Sequence, residues 1–321
     1  MRVLGWLLLI PGALAALGIL LLDLFPVTHT WHPFLIAAAT FIPLLWLPTV
    51  VALMGLVILV EGLPRLLAVA GLVVALLFFG WGLLPKWPVV MDVAPAHRGL
   101  TVLMLNTQYG RADLDQVHAA VEEHSPDLLI FLEHTAAFDE GLTAAGIAEE
   151  YPHKVGTIRE DAGGTMILGR QAITEVERLP DTRFDNIVVS TTVADVEWVV
   201  AGIHTSPPQV GADAWTSDGE AVRDLALRHR GEQFIMVGDF NAIDQHYTMR
   251  LIADAGMENP SSGRPPLDGW RPTWPVGSWV PTFARIDHYL LGPEVLGWAP
   301  QTVQIDGTDH LGLVAHTGIP T

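Results

Sequence analysis

Residues Phe234 to Ile243, Phe-Ile-Met-Val-Gly-Asp-Phe-Asn-Ala-Ile, begin as an apolar run that stops abruptly at Gly238, Asp239 and Asn241. Consecutive apolar residues leading into a carboxylate and an amide read as a buried strand that delivers two polar side chains at its end. Asp239 and Asn241 are two apart, so extended geometry predicts that they project to one face. Gly238 allows another backbone or a ligand to approach closely. A plain turn after a core strand is the simpler reading of Gly-Asp-Phe-Asn, since these residue types favour turns.

Four other segments repeat the design. Thr-Val-Leu-Met-Leu ends at Asn106, Asp-Leu-Leu-Ile-Phe-Leu ends at Glu133, and Val-Val-Ala-Gly-Ile ends at His204. Arg-Ile-Asp287-His-Tyr-Leu-Leu is followed downstream by Asp309-His310. Five such ends in one domain predict a shared site.

Hydrophobic residues make up 50% of the 321, and the mean hydropathy is +0.37, which points to two unlike parts. Residues 1–85 carry only Arg2, Asp23, Glu61 and Arg65, which cancel, so the net charge of −18 belongs to the rest. That charge repels a polyanion and weighs against long nucleic acid as substrate. The absence of cysteine excludes disulfides, thiolate–metal sites and cysteine nucleophiles.

Residues 1–85 read as a membrane anchor with three transmembrane helices, over about 4–22, 42–60 and 66–84, each near the ~20 residues a bilayer requires. A cleaved signal peptide is the competing reading of the first run, but its apolar character continues to Leu22. The stretch before the second span is assigned to the membrane interface. Arg2 and Arg65 fall on one side of the bilayer and Asp23, His29 and His32 on the other, so the positive-inside tendency predicts an extracytoplasmic C-terminal domain. Trp81, Lys86 and Trp87 suit an interfacial anchor. The proline-spaced stretch 86–97 reads as a stiff tether.

Residues 98–321 suffice for one well-filled core. Helices are expected over Asp113 to His124, Ala214 to His229 and Tyr247 to Ala255, and a hairpin joins Ile187–Val193 to Val196–Ile203 around Ala194-Asp195. His134 reads as a solvated loop residue, and His288 is expected to point away from Asp287's side of its strand. Trp270, Trp274 and Trp279 lie in a long proline- and glycine-rich segment as a wall beside the site, a membrane contact or simple edge packing. Mixed strands and helices without strict alternation favour an α+β sandwich.

Gathered at one end of a sheet pair, Asn106, Glu133, His204, Asp239, Asn241, Asp287, Asp309 and His310 offer oxygen ligands for a hard cation such as Mg²⁺ or Mn²⁺. Imidazoles donate hydrogen bonds to phosphoryl oxygens or accept a proton from water. This is an inventory for hydrolysing a phosphate ester.

In order and content, Leu-Asn106-Thr, Phe-Leu-Glu133, Gly-Ile-His204-Thr, Val-Gly-Asp239-Phe-Asn241-Ala, Arg-Ile-Asp287-His and Thr-Asp309-His310 resemble the endonuclease/exonuclease/phosphatase superfamily. The N-terminal spans and Pro-Thr-Trp274-Pro look like its membrane-anchored bacterial branch. The resemblance implies a deoxyribonuclease-I-like, four-layer α/β sandwich. It implies Glu133 as principal metal ligand, with Asn106 nearby and Asp309 completing the shell. Asp239 would orient or deprotonate water, Asn241 would hold water or phosphate, and His204 would stabilise phosphoryl charge. His310, oriented by Asp287, would act as base or phosphate donor, so the base role stays open between Asp239 and His310. Arg170 and Arg285 are the evident cations for substrate. The expected activity is a membrane-anchored, metal-dependent phosphoesterase acting on a small molecule or lipid headgroup. The alternatives are an extracytoplasmic nuclease and a catalytically idle module that binds a phosphorylated ligand.

Overall fold

The computed structural model describes residues 1–83, 99–261, 271–298 and 300–318. The chain divides into two units, one built from the helices of residues 1–83 together with Gln245–Tyr247, the other from the remaining described residues. The expected tether, with Lys86 and Trp87, lies outside the described residues, as does Trp270.

The first unit contains α1 (Arg2–Leu24), a 3₁₀ segment at Pro26–Trp31, α2 (Pro33–Ala39), a short 3₁₀ turn at Ile42–Leu44, α3 (Trp46–Leu59) and α4 (Leu63–Leu83). Three stretches, Arg2–Leu24, Ile42–Leu59 and Leu63–Trp81, are long and apolar enough to cross a membrane. A helix suits such sequences because it satisfies its own backbone polar groups where water is absent. Their surfaces are correspondingly apolar, with Leu7, Leu14, Leu66 and Leu77 exposed. α1 and α3 approach through glycines: a Cβ on Gly12 would lie 2.8 Å from the Ala52 nitrogen, and one on Gly55 2.5 Å from the Leu9 nitrogen. Backbones this close need small residues at the crossing.

The second part of the chain runs β1 (Thr101–Asn106), α5 (Leu114–His124), β2 (Leu128–Leu132), α6 (Ala136–Ala144), α7 (Ile147–Glu150), β3 (His153–Gly156), β4 (Thr165–Gly169), β5 (Ile173–Arg178), β6 (Ile187–Val193) and β7 (Val196–His204). It continues with α8 (Ala212–Arg228), β8 (Phe234–Asp239), α9 (Tyr247–Asp254), β9 (Asp287–Leu291), β10 (Leu296–Gly297), β11 (Gln301–Val303) and β12 (Gly312–Gly318). One sheet has the order β10-β12-β1-β2-β4-β3, with β11 also paired to β12, and the other is β5-β6-β7-β8-β9. β1 with β2 and β7 with β8 are parallel, and the other pairs are antiparallel.

Period-two alternation sorts the strand residues into layers. Val102, Met104 and Ile130 face Val189, Val200 and Val237 of the other sheet in a common core. The intervening Leu103, Leu105, Leu129 and Phe131 pack with Val117 and Val121 of α5 and Phe138 of α6. α8 buries Trp215, Val222, Leu225 and Ala226. The result is the α+β, four-layer sandwich expected, with helices outside two apposed sheets.

The hairpin between β6 and β7 turns at Ala194 and Asp195, both with positive φ (53° and 65°), as a two-residue turn matched to strand twist requires. Asp113 caps α5 by accepting from the Gln116 N–H at 3.0 Å.

Candidate active site

Register places three of the expected residues side by side. His204 pairs with Asp239 across β7 and β8, and Asp239 with Asp287 across β8 and β9, so one row crosses the C-terminal ends of the two parallel strands. Gly238 lets those strands close up, since a Cβ there would lie 1.9 Å from the Ile203 carbonyl oxygen. From the opposite sheet, Asn106 ends β1 and its Nδ2 donates to Asp239 Oδ2 at 3.2 Å and to Glu133 Oε1 at 3.3 Å. The Asn106 amide thus ties the two sheets together at the site. Its own Oδ1 accepts from the Gln108 N–H at 3.1 Å, which leaves that oxygen a second lone pair.

The same-face expectation for Asp239 and Asn241 is corrected. β8 ends at Asp239, and Asn241 adopts a left-handed conformation with φ 44°. Asp239 Oδ1 accepts from the Asn241 N–H at 2.8 Å, a side chain closing a tight turn, and Asn241 Nδ2 donates to the Thr205 carbonyl at 2.9 Å. Asn241 therefore reaches the site by a turn, which alternation along a strand does not describe.

His310 completes the cluster. Its Nδ1 lies 3.0 and 3.1 Å from the two Asp287 oxygens, and its Nε2 is 3.8 Å from Asp239 Oδ2 and from Asp309 Oδ1. His204 Nε2 stands 3.8 Å from the same Asp239 oxygen. Asp309 Oδ2 accepts from the Trp274 indole at 2.9 Å. Asp239, His204, Asp287 and His310 are all buried.

Burial sets the proton affinities here, and neighbouring charge modifies it. Desolvation lifts Asp239 to about 7; the His310 charge opposes this and Asp287 adds to it. Burial works against a charge on His310, but Asp287, then Asp239 and Asp309, outweigh it and raise the imidazole to about 10. Burial, with the His310 charge, pushes His204 down to about 3, leaving it neutral. Glu133 is raised, chiefly by burial, against hydrogen bonds from the Tyr109 N–H and Asn106.

Two carboxylate groupings are candidates for a metal. One atom each from Asp239, Asp287 and His310 lies within 4.8 Å of the others. Both Asp287 oxygens face His310 Nδ1, however, so this trio reads as a proton network. Glu133 and Asp309 fit a cation better. Each repels the other's charge, both are partly accessible, and neither pairs with a lysine or arginine among the described residues. Their hard oxygens suit Mg²⁺ or Mn²⁺.

Other residues land elsewhere than expected. His134 is fully buried, not solvated: its Nε2 meets Asp139 at 3.1 Å and its ring packs against Phe131 and Phe138. Arg170 follows β4 at the end paired with Leu128, opposite to Glu133, where it covers Tyr151 and bonds the Pro126 carbonyl. Arg285 is buried in a pair with Asp244 and bonds the Ser261 carbonyl. Neither arginine is placed to meet substrate. His288 points away from the site, its ring bonded to the Ala242 carbonyl and Asn259. Tyr109 and Phe184 were not anticipated. The Tyr109 N–H donates to Glu133 Oε2 at 2.8 Å, and the Phe184 ring stacks on His204 at 4.3 Å between centroids. Gly110 after Tyr109 marked a turn at the strand end, but nothing local marked Phe184.

Two apposed sheets with carboxylates, an amide and paired imidazoles at one end define a deoxyribonuclease-I-like protein. Residues 104–310 match the model of the Endonuclease/Exonuclease/phosphatase family, and the chain belongs to that family. Its members are hydrolases of phosphodiester bonds and are generally dependent on divalent metals. Similar folds include an endonuclease/exonuclease/phosphatase from Beutenbergia cavernae, at 18% identity and TM-score 0.54, covering 69% of this chain and 72% of that one. A family protein from Bacteroides thetaiotaomicron has 16% identity and TM-score 0.52, covering 70% and 99%. D. rerio TDP2 complexed with a single-strand DNA product has 16% identity and TM-score 0.52, covering 68% and 98%. No curated protein matches the chain.

Proposed function

We propose that the protein is a membrane-anchored phosphoesterase that hydrolyses a small phosphate ester or a lipid headgroup by attack of water. The observation that carries this reading is the Asp239 carboxyl, flanked in register by His204 and Asp287, facing His310 Nε2, and tied through Asn106 to Glu133. An affinity near 7 suits Asp239 to accept a proton from water at neutral pH. His310, held as the imidazolium by Asp287, then suits donation to a phosphoryl oxygen, and neutral His204 suits a second such donor. The base role goes to Asp239 on this division. Asn241, locked by its turn, positions water or phosphate beside it.

Glu133 and Asp309 would hold Mg²⁺ or Mn²⁺. A divalent cation bound there supplies Lewis-acid stabilisation of phosphoryl charge. The charge of −18 favours a small substrate over long nucleic acid. The three apolar helices support anchoring in a bilayer, and the placement of Arg2 and Arg65 supports an extracytoplasmic catalytic domain.

The test is a panel of phosphate mono- and diesters, lipid headgroup esters and single-stranded DNA, offered to the full chain with Mg²⁺ or Mn²⁺ and with EDTA. Hydrolysis of a small ester should require the metal, and Asp239→Ala should reduce it by about 10²–10⁴-fold, the range of a lost general base. Unchanged turnover in that variant refutes the site; preference for DNA refutes the substrate class.

A further inference from the structure

Within the first unit, the last ten residues of α1 and the segment that follows it enclose an apolar groove of about 970 Å³. Gly18, Leu22 and Phe25 form one wall, and Trp31, Phe34 and Phe41 belong to the other. No charged residue lines it, and the one hydroxyl in the wall, on Thr28, already donates to the Phe25 carbonyl at 2.7 Å. Water would find too few polar partners to be held there, since a buried water needs two to four. We propose that this groove seats one acyl chain of a bilayer lipid.

Size and position support that occupant. A methylene takes about the volume of a liquid water, ~30 Å³, so a palmitoyl chain needs on the order of 500 Å³ and fits with room for kinks. The groove follows α1 from Ala15 to Phe25. At 1.5 Å per residue that is about 15 Å, half of a hydrocarbon core of about 30 Å, so it matches the depth of one leaflet. Aromatic Phe25, Trp31 and Phe34 cluster where the helix ends, as side chains at the headgroup level do. The space at Gly18 is open, since nothing lies within 4 Å of the Cβ a larger residue would carry there. The inference rests on the helices lying in a bilayer and does not depend on the hydrolytic reading.

That open space also makes the groove fillable without disturbing the helix. The full chain in detergent micelles is titrated with palmitoyl-oleoyl-phosphatidylglycerol, and bound lipid is counted by native mass spectrometry. Wild type should retain one lipid. Gly18→Trp should retain at least about tenfold less, as should Ala37→Trp, which fills the groove from the other wall. Gly80→Trp, on α4 and equally free of neighbours, should behave as wild type. Circular dichroism reports whether each variant keeps its helices, and Ala37→Trp serves if Gly18→Trp does not. Displacement by palmitate supports recognition of the chain. Displacement by glycerol 3-phosphate, equal retention in all variants, no lipid on wild type, or a dimer in place of the lipid adduct overturns the proposal.

Discussion

Replacing Asp287 with asparagine keeps the shape of the side chain and removes the charge that faces His310 Nδ1. The imidazole stands at about 10 against an ordinary 6.5, a difference worth several kcal/mol between its charged and neutral forms. Burial opposes the rise. Among the favourable causes, the charge of Asp287 and its hydrogen bond come first, ahead of Asp239 and Asp309. The asparagine amide oxygen can still accept from Nδ1–H, so the variant loses the charge and should lower the His310 proton affinity about tenfold or more, the effect of one close opposite charge. The measurement is a ¹H–¹³C NMR titration of histidine-labelled, metal-free chain, comparing wild type with Asp287→Asn. If protonated His310 is the phosphate donor, hydrolysis is present below its pKa and lost as pH rises through it, so the alkaline limb should move to lower pH in the variant. Between the variant's alkaline limb and that of wild type its kcat should fall by up to about 10²-fold, the cost of losing a donor. A wild-type His310 that titrates near 6.5, or an asparagine variant that titrates at the wild-type pH, refutes the reasoning.

Glu133→Gln should weaken Mn²⁺ binding at least about tenfold in a calorimetric titration, while its amide still fills the space beside Asn106 and the Tyr109 N–H; unaltered affinity would remove Glu133 from the metal site. His204 gives a pH dependence of stability. Burial lowers it from 6.5 to about 3, so between those values the unfolded chain binds a proton that the folded chain refuses. Its contribution is fully present above 6.5 and is lost as pH falls from there towards about 3, by a few kcal/mol. His204→Gln should flatten that part of the denaturation profile, and parallel profiles for the two chains would contradict it.

How much was legible in the sequence follows from where each residue sits. Strands in the middle of the sheets announce themselves, because β1, β2, β7 and β8 are buried on both faces and carry long apolar runs ending in polar residues. β3 and β5 are outer strands without a buried apolar run and are not legible, whereas β9, equally an outer strand, carries Tyr289, Leu290 and Leu291 and is. β5 carries Glu175, Glu177 and Arg178 and a register shift between the two glutamates, features that protect an edge and erase the apolar pattern. The residue types of the site were readable at strand ends, but the row His204–Asp239–Asp287 depends on register between strands far apart in the chain. His134 shows the same limit. Following Glu133, it resembled a loop residue, yet it is sealed under Phe138 by a helix whose first turn is capped by Thr135. Arg170 was misplaced for want of a direction: β4 runs antiparallel to β2 and carries it to the far end.

Two site residues occupy backbone conformations that L side chains avoid: Glu133 with φ 55° and Asn241 with φ 44°. Asparagine tolerates the left-handed region through local hydrogen bonds, and Asn241 makes them with Asp239 and Thr205. Glutamate has no such compensation, and its conformation costs on the order of 1–3 kcal/mol. The surroundings hold it from both sides: Thr107 Oγ1 donates to the Glu133 carbonyl at 3.0 Å, and the Tyr109 N–H grips the side chain. A glycine at this position would relieve the backbone but remove the carboxylate. The fold instead sustains a strained, half-buried glutamate whose side chain meets the Asn106 amide, the Tyr109 N–H and the charge of Asp309. A carboxylate that must meet a cation beyond the strand end would account for this conformation, since the left-handed φ breaks the alternation of β2.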